Sequence, residues 1–147
     1  MLKVIETYKH LSVIAGITIS GELYTRIKVS SYKSIDIILF VKHLIHVVSN
    51  RLLIIWDGSP IHKSEAVQFF LCQRIAKHVQ VERLPPYAPD LNPSEAVWNH
   101  LKNVDLKNLC CFNFEHLRRE LAIAIVKLRS KPRLIQSFFD EAKLEIS

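Results

Sequence analysis

Two kinds of hydrophobic pattern follow one another along the first thirty residues, and the contrast predicts a hairpin. The run after His10, LSVIAGITIS, is almost continuously apolar, as befits a strand buried on both faces. Beyond Ser20-Gly21 the pattern alternates: Leu23, Thr25, Ile27 and Val29 interleave with Tyr24, Arg26 and Lys28, the period of a half-exposed strand. The period then changes to helical. Ile37/Ile38, Val41, Leu44/Ile45 and Val48 repeat at that spacing behind a candidate cap at Ser34. Leu52 to Trp56 is short and wholly apolar, as a central parallel strand should be. Ser64 opens a second helix with Val67, Phe70/Leu71 and Ile75 inward, and Val79 to Leu84 reads as a short strand. PPYAPDLNP follows as a rigid loop, and a helix begins near Pro93 and runs through Trp98 and Leu101. The tail from Phe114 is helical, with a break at Lys131-Pro132, because proline disfavours helix in the residue before it. Two strands, helix, strand, helix, strand, helices: the order predicts an α/β fold with a mixed sheet.

Composition narrows the class. The chain has 147 residues, 49% hydrophobic and 23% charged, with 3 Gly and 6 Pro, which suits one ordinary domain and excludes a disordered or collagen-like chain. Residues 1–147 are expected to form a single domain in which 114–147 is a basic helical tail. The longest apolar stretch, Ile35 to Val48, is interrupted by Asp36, Lys42, His43 and His46, and is too short and too polar to span a bilayer. MLKVIETYKH shows no secretory h-region, so the expected location is the cytoplasm, at the nucleoid. Cys72, Cys110 and Cys111 form no CxxC and are expected to be reduced thiols. His43 and His46, three apart on a helix, are expected to be partly buried side chains rather than ligands.

The net charge is +6 and the sequence pI about 9.3. The excess is concentrated in the C-terminal half, in Lys102, Lys107, Arg118, Arg119, Lys127, Arg129, Lys131 and Arg133. Clustered cations favour a polyanion such as DNA, although a solvated helix face would have the same composition.

Two carboxylates stand where chemistry is often placed. Asp57, in WDGSPIH, directly follows the apolar strand; α/β folds carry ligand and catalytic groups at that end, where side chains escape the packed sheet. An Asp there can equally begin a turn. Glu95, in NPSEAVWNHLK, falls at the third position of a helix with Asn92 as N-cap and Pro93 first. It can complete a capping box, present a carboxylate to a divalent metal, or do both.

Taken together, WDGSPIHKSEAV and ERLPPYAPDLNPSEAVWNHLK closely resemble the catalytic core of bacterial insertion-sequence transposases in the Tc/mariner superfamily. The similarity runs from about His10 to Asp140. It implies a ribonuclease-H-like fold in which Asp57 is the second metal-binding carboxylate and Glu95 the third. It further implies metal-dependent DNA strand cleavage and strand transfer with Mg²⁺ or Mn²⁺, and hard oxygen ligands suit those ions. The partners implied are DNA, both transposon ends and target, and further copies of the chain in an active homo-oligomer. His62, Lys63, Lys102, Arg129, Lys131 and Arg133 are the candidate DNA contacts; His62 can instead supply an orienting or turn-stabilising hydrogen bond.

The departure from the family concerns the first carboxylate, which lies on a central strand upstream of the hairpin. That strand is expected to be missing here. Glu6 is read as preceding the first strand, Glu22 sits at a turn and Asp36 opens a helix, so none fills the position. The N-terminal helix-turn-helix region of the family is expected to be absent as well. Two readings follow: a catalytic part that needs an upstream transposase fragment, or an inactive remnant that at most binds DNA. A hydrolase of another α/β class using Asp57 with His62 is the third, without a GxSxG motif to support it. Asp57 and Glu95 are expected within roughly 8–9 Å of each other, two ligand bonds plus a metal–metal gap. The Leu52–Trp56 strand is expected to have an unpaired edge open to another chain.

Overall fold

The sheet is built around strands that the sequence marks by composition. The computed structural model describes residues 2–7, 11–48, 51–57, 60–85, 92–105 and 114–142. Five strands, β1 (Leu2–Thr7), β2 (Leu11–Ile17), β3 (Leu23–Lys28), β4 (Leu52–Trp56) and β5 (Val79–Arg83), lie in the order β3-β2-β1-β4-β5. The first three are antiparallel, while β1, β4 and β5 are parallel to one another. The predicted hairpin is present. Its turn is closed by Gly21, which takes φ +90, a conformation that side chains with a Cβ rarely adopt.

One expectation is corrected here. The slot between β2 and β4, which the sequence suggested would lack its strand, is entered by Leu2–Thr7. All six residues pair with β2, from Leu2 opposite Gly16 to Thr7 opposite Leu11. Glu6 therefore belongs to a strand, opposite Ser12, rather than preceding one. The physical reason is that β2 offers a second hydrogen-bonding edge, and an adjoining extended segment can satisfy it. Towards β4, the pairing seen among the described residues is Leu2 with Trp56.

Five helices cover the two faces: α1 (Ser34–Val47), α2 (Glu65–Leu71), α3 (Pro93–His100), α4 (Phe114–Arg129) and α5 (Pro132–Glu141). On one face Ile14, Ile54 and Trp56 pack with Ile37, Phe40 and Val41 of α1 and with Val67 and Phe70 of α2. On the other, Val13, Ala15 and Ile17 meet Val97 and Trp98 of α3, Leu128 of α4 and Ile135 and Phe138 of α5. A strand such as β2 that feeds both clusters has to be apolar at successive positions, which is the pattern read from LSVIAGI.

Local details adjust several sequence readings. The N-cap of α1 is Lys33 rather than Ser34; its N–H donates to the Asp36 carboxylate at 2.8 Å. Ser34 instead donates to Ser64 at 2.8 Å, and Ser64 caps α2 by accepting from the Val67 N–H. The second helix ends at Leu71, so Ile75 falls in a separate short 3-10 turn and is exposed. His43 and His46 are exposed rather than partly buried, because their positions on α1 flank the Leu44 stripe. Asn92 and Pro93 begin α3 as predicted, and Lys131-Pro132 separates α4 from α5. A π-helical turn, Leu101–Asp105, extends α3.

Candidate active-site edge

Parallel strands β4 and β5 run towards the same end of the sheet, and Asp57 sits there. Asp57 follows the last residue of β4, where the chain leaves the sheet and a side chain regains access to solvent. Its carboxylate is 36% exposed. Beside it, Pro60–Lys63 forms a 3-10 turn that folds His62 back under the strand end. The His62 ring stacks on Trp56 with centroids 4.4 Å apart and planes within 9°. Its Nδ1 lies 3.2 Å from the Asp57 carbonyl oxygen and 3.3 Å from Asp57 Oδ1. An Nδ1–H that donates to Asp57 fits this geometry; the ring thereby fixes both the main chain and the carboxylate. His62 is only 1% exposed, and its Nε2 is buried with no hydrogen-bond partner among the described residues.

That burial corrects one candidate role. A ring held between Trp56 and the turn cannot reach a phosphate, so the orienting hydrogen bond is the role that its position allows. Spacing alone gave no sign of the stack, since Trp56 and His62 approach only because the 3-10 turn reverses the chain.

Glu95 occupies the third position of α3. Asn92 Oδ1 accepts from the Ser94 N–H at 3.0 Å, and the Glu95 N–H donates to the Asn92 carbonyl at 3.0 Å. Asn92 and Ser94 are buried, whereas Glu95 is half-buried. A carboxylate in the first turn is favoured by the helix macrodipole, and it can turn an oxygen towards a cation without disturbing the cap. The chain reaches α3 from the same end of the sheet as Asp57: the Leu84 N–H, just past β5, donates to the Trp56 carbonyl at 2.9 Å. Most of the Pro-rich loop between them, residues 86–91, lies outside the described residues. Among the described residues no three His, Cys, Asp or Glu side chains gather into a metal-ligand cluster.

The candidate DNA contacts divide. Lys63, Lys102, Lys131 and Arg133 are exposed. Arg129 is engaged elsewhere: Nε donates to the Leu23 carbonyl at 3.0 Å and a terminal nitrogen to Thr25 Oγ1 at 3.1 Å. It ties α4 to the edge of β3, a link across more than a hundred residues of sequence that composition could not reveal. Of the remaining acidic residues, Asp36 accepts from Lys28 Nζ at 2.8 Å, and Glu22 accepts from the Tyr24 and Ser20 hydroxyls beside the hairpin turn.

Comparison with known families decides the class. A family model described as DDE superfamily endonuclease matches residues 2–117, a span that includes all five strands, Asp57 and Glu95. The chain belongs to that family. Among solved structures, a chain of the simian T-cell lymphotropic virus intasome in complex with PP2A regulatory subunit B56 gamma superposes with a TM-score of 0.60 at 17% identity, over 84% of this chain and 45% of that one. The Mos1 transposase, solved as a paired-end complex with the left transposon end, gives 0.56 at 18% identity, over 86% and 43%. At such identities the likeness shows the fold, which is ribonuclease-H-like, and this chain spans less than half the length of either relative. Comparison with curated proteins found no match. No described helix is long and apolar enough to cross a membrane.

Proposed function

We propose that this DDE-family chain is the catalytic domain of a DNA transposase of the bacterial insertion-sequence type, with Asp57 and Glu95 as two of its metal-binding carboxylates. The observation that carries the reading is their placement: one carboxylate at the carboxyl end of β4 and one in the first turn of α3, both within the family match. The donor chemistry fits Mg²⁺ or Mn²⁺, which are commonly held by one or two carboxylates with water and substrate phosphate completing the shell. Bound there, such ions would activate a water or 3′-hydroxyl and offset charge at the scissile phosphate of DNA. His62 acts as a positioning residue, holding the Asp57 carboxylate through Nδ1. Lys63, Lys102, Lys131 and Arg133 are exposed cations that would meet DNA phosphates.

The register of β1 favours a division of labour. One residue beyond the Leu2–Trp56 pair, the two strands continue as Lys3 and Asp57, so β1 brings no acid level with Asp57. Glu6 lies three residues farther, about 10 Å along the strand. In this reading the first carboxylate is supplied by an upstream transposase fragment, and the chain alone binds DNA without cutting it.

Calorimetric titration of the full chain with Mn²⁺ tests the assignment. Asp57→Asn and Glu95→Gln should each weaken binding at least tenfold while leaving the thermal midpoint within a few degrees. Unchanged affinity in either variant removes that residue from the site. For DNA, charge reversal at Lys131 or Arg133 should lower the slope of log affinity against log salt by about one for each phosphate no longer neutralised. Slopes that stay the same return both residues to a solvated face.

A further inference from the structure

The two ends of the parallel strands differ in charge. Asp57 follows β4 at its carboxyl end. The segments that lead into the opposite end carry no acid: none occurs between Asp36 and Asp57, nor between Glu65 and Glu82. The first stretch contains Lys42, His43, His46 and Arg51, and the second Arg74, Lys77 and His78. A cleft of about 260 Å³ opens where β4 and β5 begin, and none of its seven lining residues is acidic. Arg51, Lys77 and His78 line it, all of them exposed. Arg74, also exposed, opens the short 3-10 turn that leads into it, where its carbonyl accepts from the Lys77 N–H at 3.2 Å. Arg51 and His78 directly precede the Leu52–Val79 register pair, and the Leu52 N–H donates to the His78 carbonyl at 3.0 Å. Adjacent strands therefore hold them side by side, about 4.8 Å apart at the backbone. Cations gathered this closely repel one another, and a merely solvated surface normally mixes both signs. Glu82, which accepts from Gln80 Nε2 at 3.3 Å, lies beyond the cleft along β5.

We propose that this cleft holds the phosphate backbone of duplex DNA, as a contact surface separate from the edge that carries Asp57. Arg51 offers a planar fork of donors suited to a phosphate, and Lys77 a mobile point charge beside it. A single small anion would satisfy one or two of these groups. The row of Arg51, His78, Lys77 and Arg74 suits a repeating anion instead, and each DNA strand carries one charge per about 3.4 Å of axis. Arg51 lies six residues before Asp57, about 20 Å along an extended chain. The DNA held here is thus a different stretch from the one presented to the carboxylates. The choice of DNA as the polyanion rests on the transposase reading above; the cleft and its charges do not.

The test uses the full chain without divalent metal, so that its outcome is separate from that of the Asp57 and Glu95 assignment. A duplex of about a dozen base pairs is titrated in low salt while backbone amide shifts are followed residue by residue. The amides of Arg51, Arg74, Lys77 and His78 should shift on saturation. The double variant Arg51→Glu/Lys77→Glu should bind the duplex at least tenfold more weakly, with a slope of log affinity against log salt lower by about two. The wild-type shifts decide the site even if that variant fails to fold. Shifts confined to the surface around Lys131 and Arg133, no shifts at all, or an unchanged salt slope in a folded variant would overturn the proposal. Inorganic phosphate that saturates the same four amides at the same concentration as the duplex would make the cleft a small-anion site and overturn DNA as its ligand. Mn²⁺ binding that ignores Asp57→Asn would sink the catalytic assignment and leave each of these outcomes as it stands.

Discussion

The β2–β3 hairpin and the β1–β4 seam are both interior to the same sheet, yet they are built to different standards. The hairpin has six register pairs, and every residue from Ser12 to Ile17 is buried. Among the described residues the seam shows one pair, and beside it Leu53 is nearly half exposed. Apolar composition does not separate them, since Leu-Leu-Ile-Ile-Trp is at least as hydrophobic as the hairpin. Pairing does: burial follows when both backbone edges are satisfied and both faces are covered. The hairpin is further tied by Arg129 to α4 and through Gly21 to the start of α5. Asp57, by contrast, emerges from the seam. Stability is concentrated on one side of the sheet and candidate chemistry on the other.

The largest effects should therefore come from the hairpin side. Leu128 is fully buried among β2, α3 and α5 side chains, so Leu128→Ala should cost about 2–5 kcal/mol in urea unfolding, through lost transfer energy and the cavity left behind. A cost below about 1 kcal/mol would show that α4 is loosely docked and break the comparison. Gly21→Ala comes next. A Cβ there would run into the Pro132 carbonyl oxygen, a backbone atom, and φ is +90. Strain of about 1–3 kcal/mol is expected before the clash is relieved, and α5 must shift to relieve it. Wild-type stability in this variant would mean that hairpin turn and α5 are not in contact in solution.

What the sequence disclosed and what it withheld divide along the same line. The hairpin, the β4 strand, the Asn92-Pro93 helix start and the Lys131-Pro132 break are local signals, each written in a few consecutive residues. The family motif likewise lies in two short stretches around Asp57 and Glu95. The entry of Leu2–Thr7 into the sheet was not legible, because it depends on a free edge of β2 rather than on a pattern of its own. Arg129 reads as a DNA contact in the sequence, because nothing nearby reveals a partner about a hundred residues away. Ile75 reads as part of a helix face because its spacing continues the period, although the helix stops at Leu71. The His62 stack on Trp56 required the 3-10 turn to be known first.

A smaller effect tests the joint between the hairpin and α1. Burial raises the Asp36 pKa, but hydrogen bonds from Lys28 Nζ and the Lys33 N–H outweigh it, and the net shift is downward. A folded-state pKa below the unfolded value adds stability above the unfolded value, near 4, which is lost as pH falls through the lower folded one. Asp36→Asn should cost about 1 kcal/mol at neutral pH, the scale of a lost cap or hydrogen bond. The gap between wild type and variant should close as pH drops below about 4. A gap that persists to pH 2 would mean that packing, not charge, gives Asp36 its contribution.

The smallest effect belongs to the seam and is the most diagnostic. Leu53 lies in the middle of β4, where an ordinary central strand would make Leu→Ala as costly as at Leu128. Its exposure says otherwise: with about half of the side chain still in water, Leu53→Ala should cost less than about 1 kcal/mol in the chain alone. A cost of about 2 kcal/mol or more in urea unfolding would show that the seam is already closed in solution. The difference between the two sides of the sheet would then disappear.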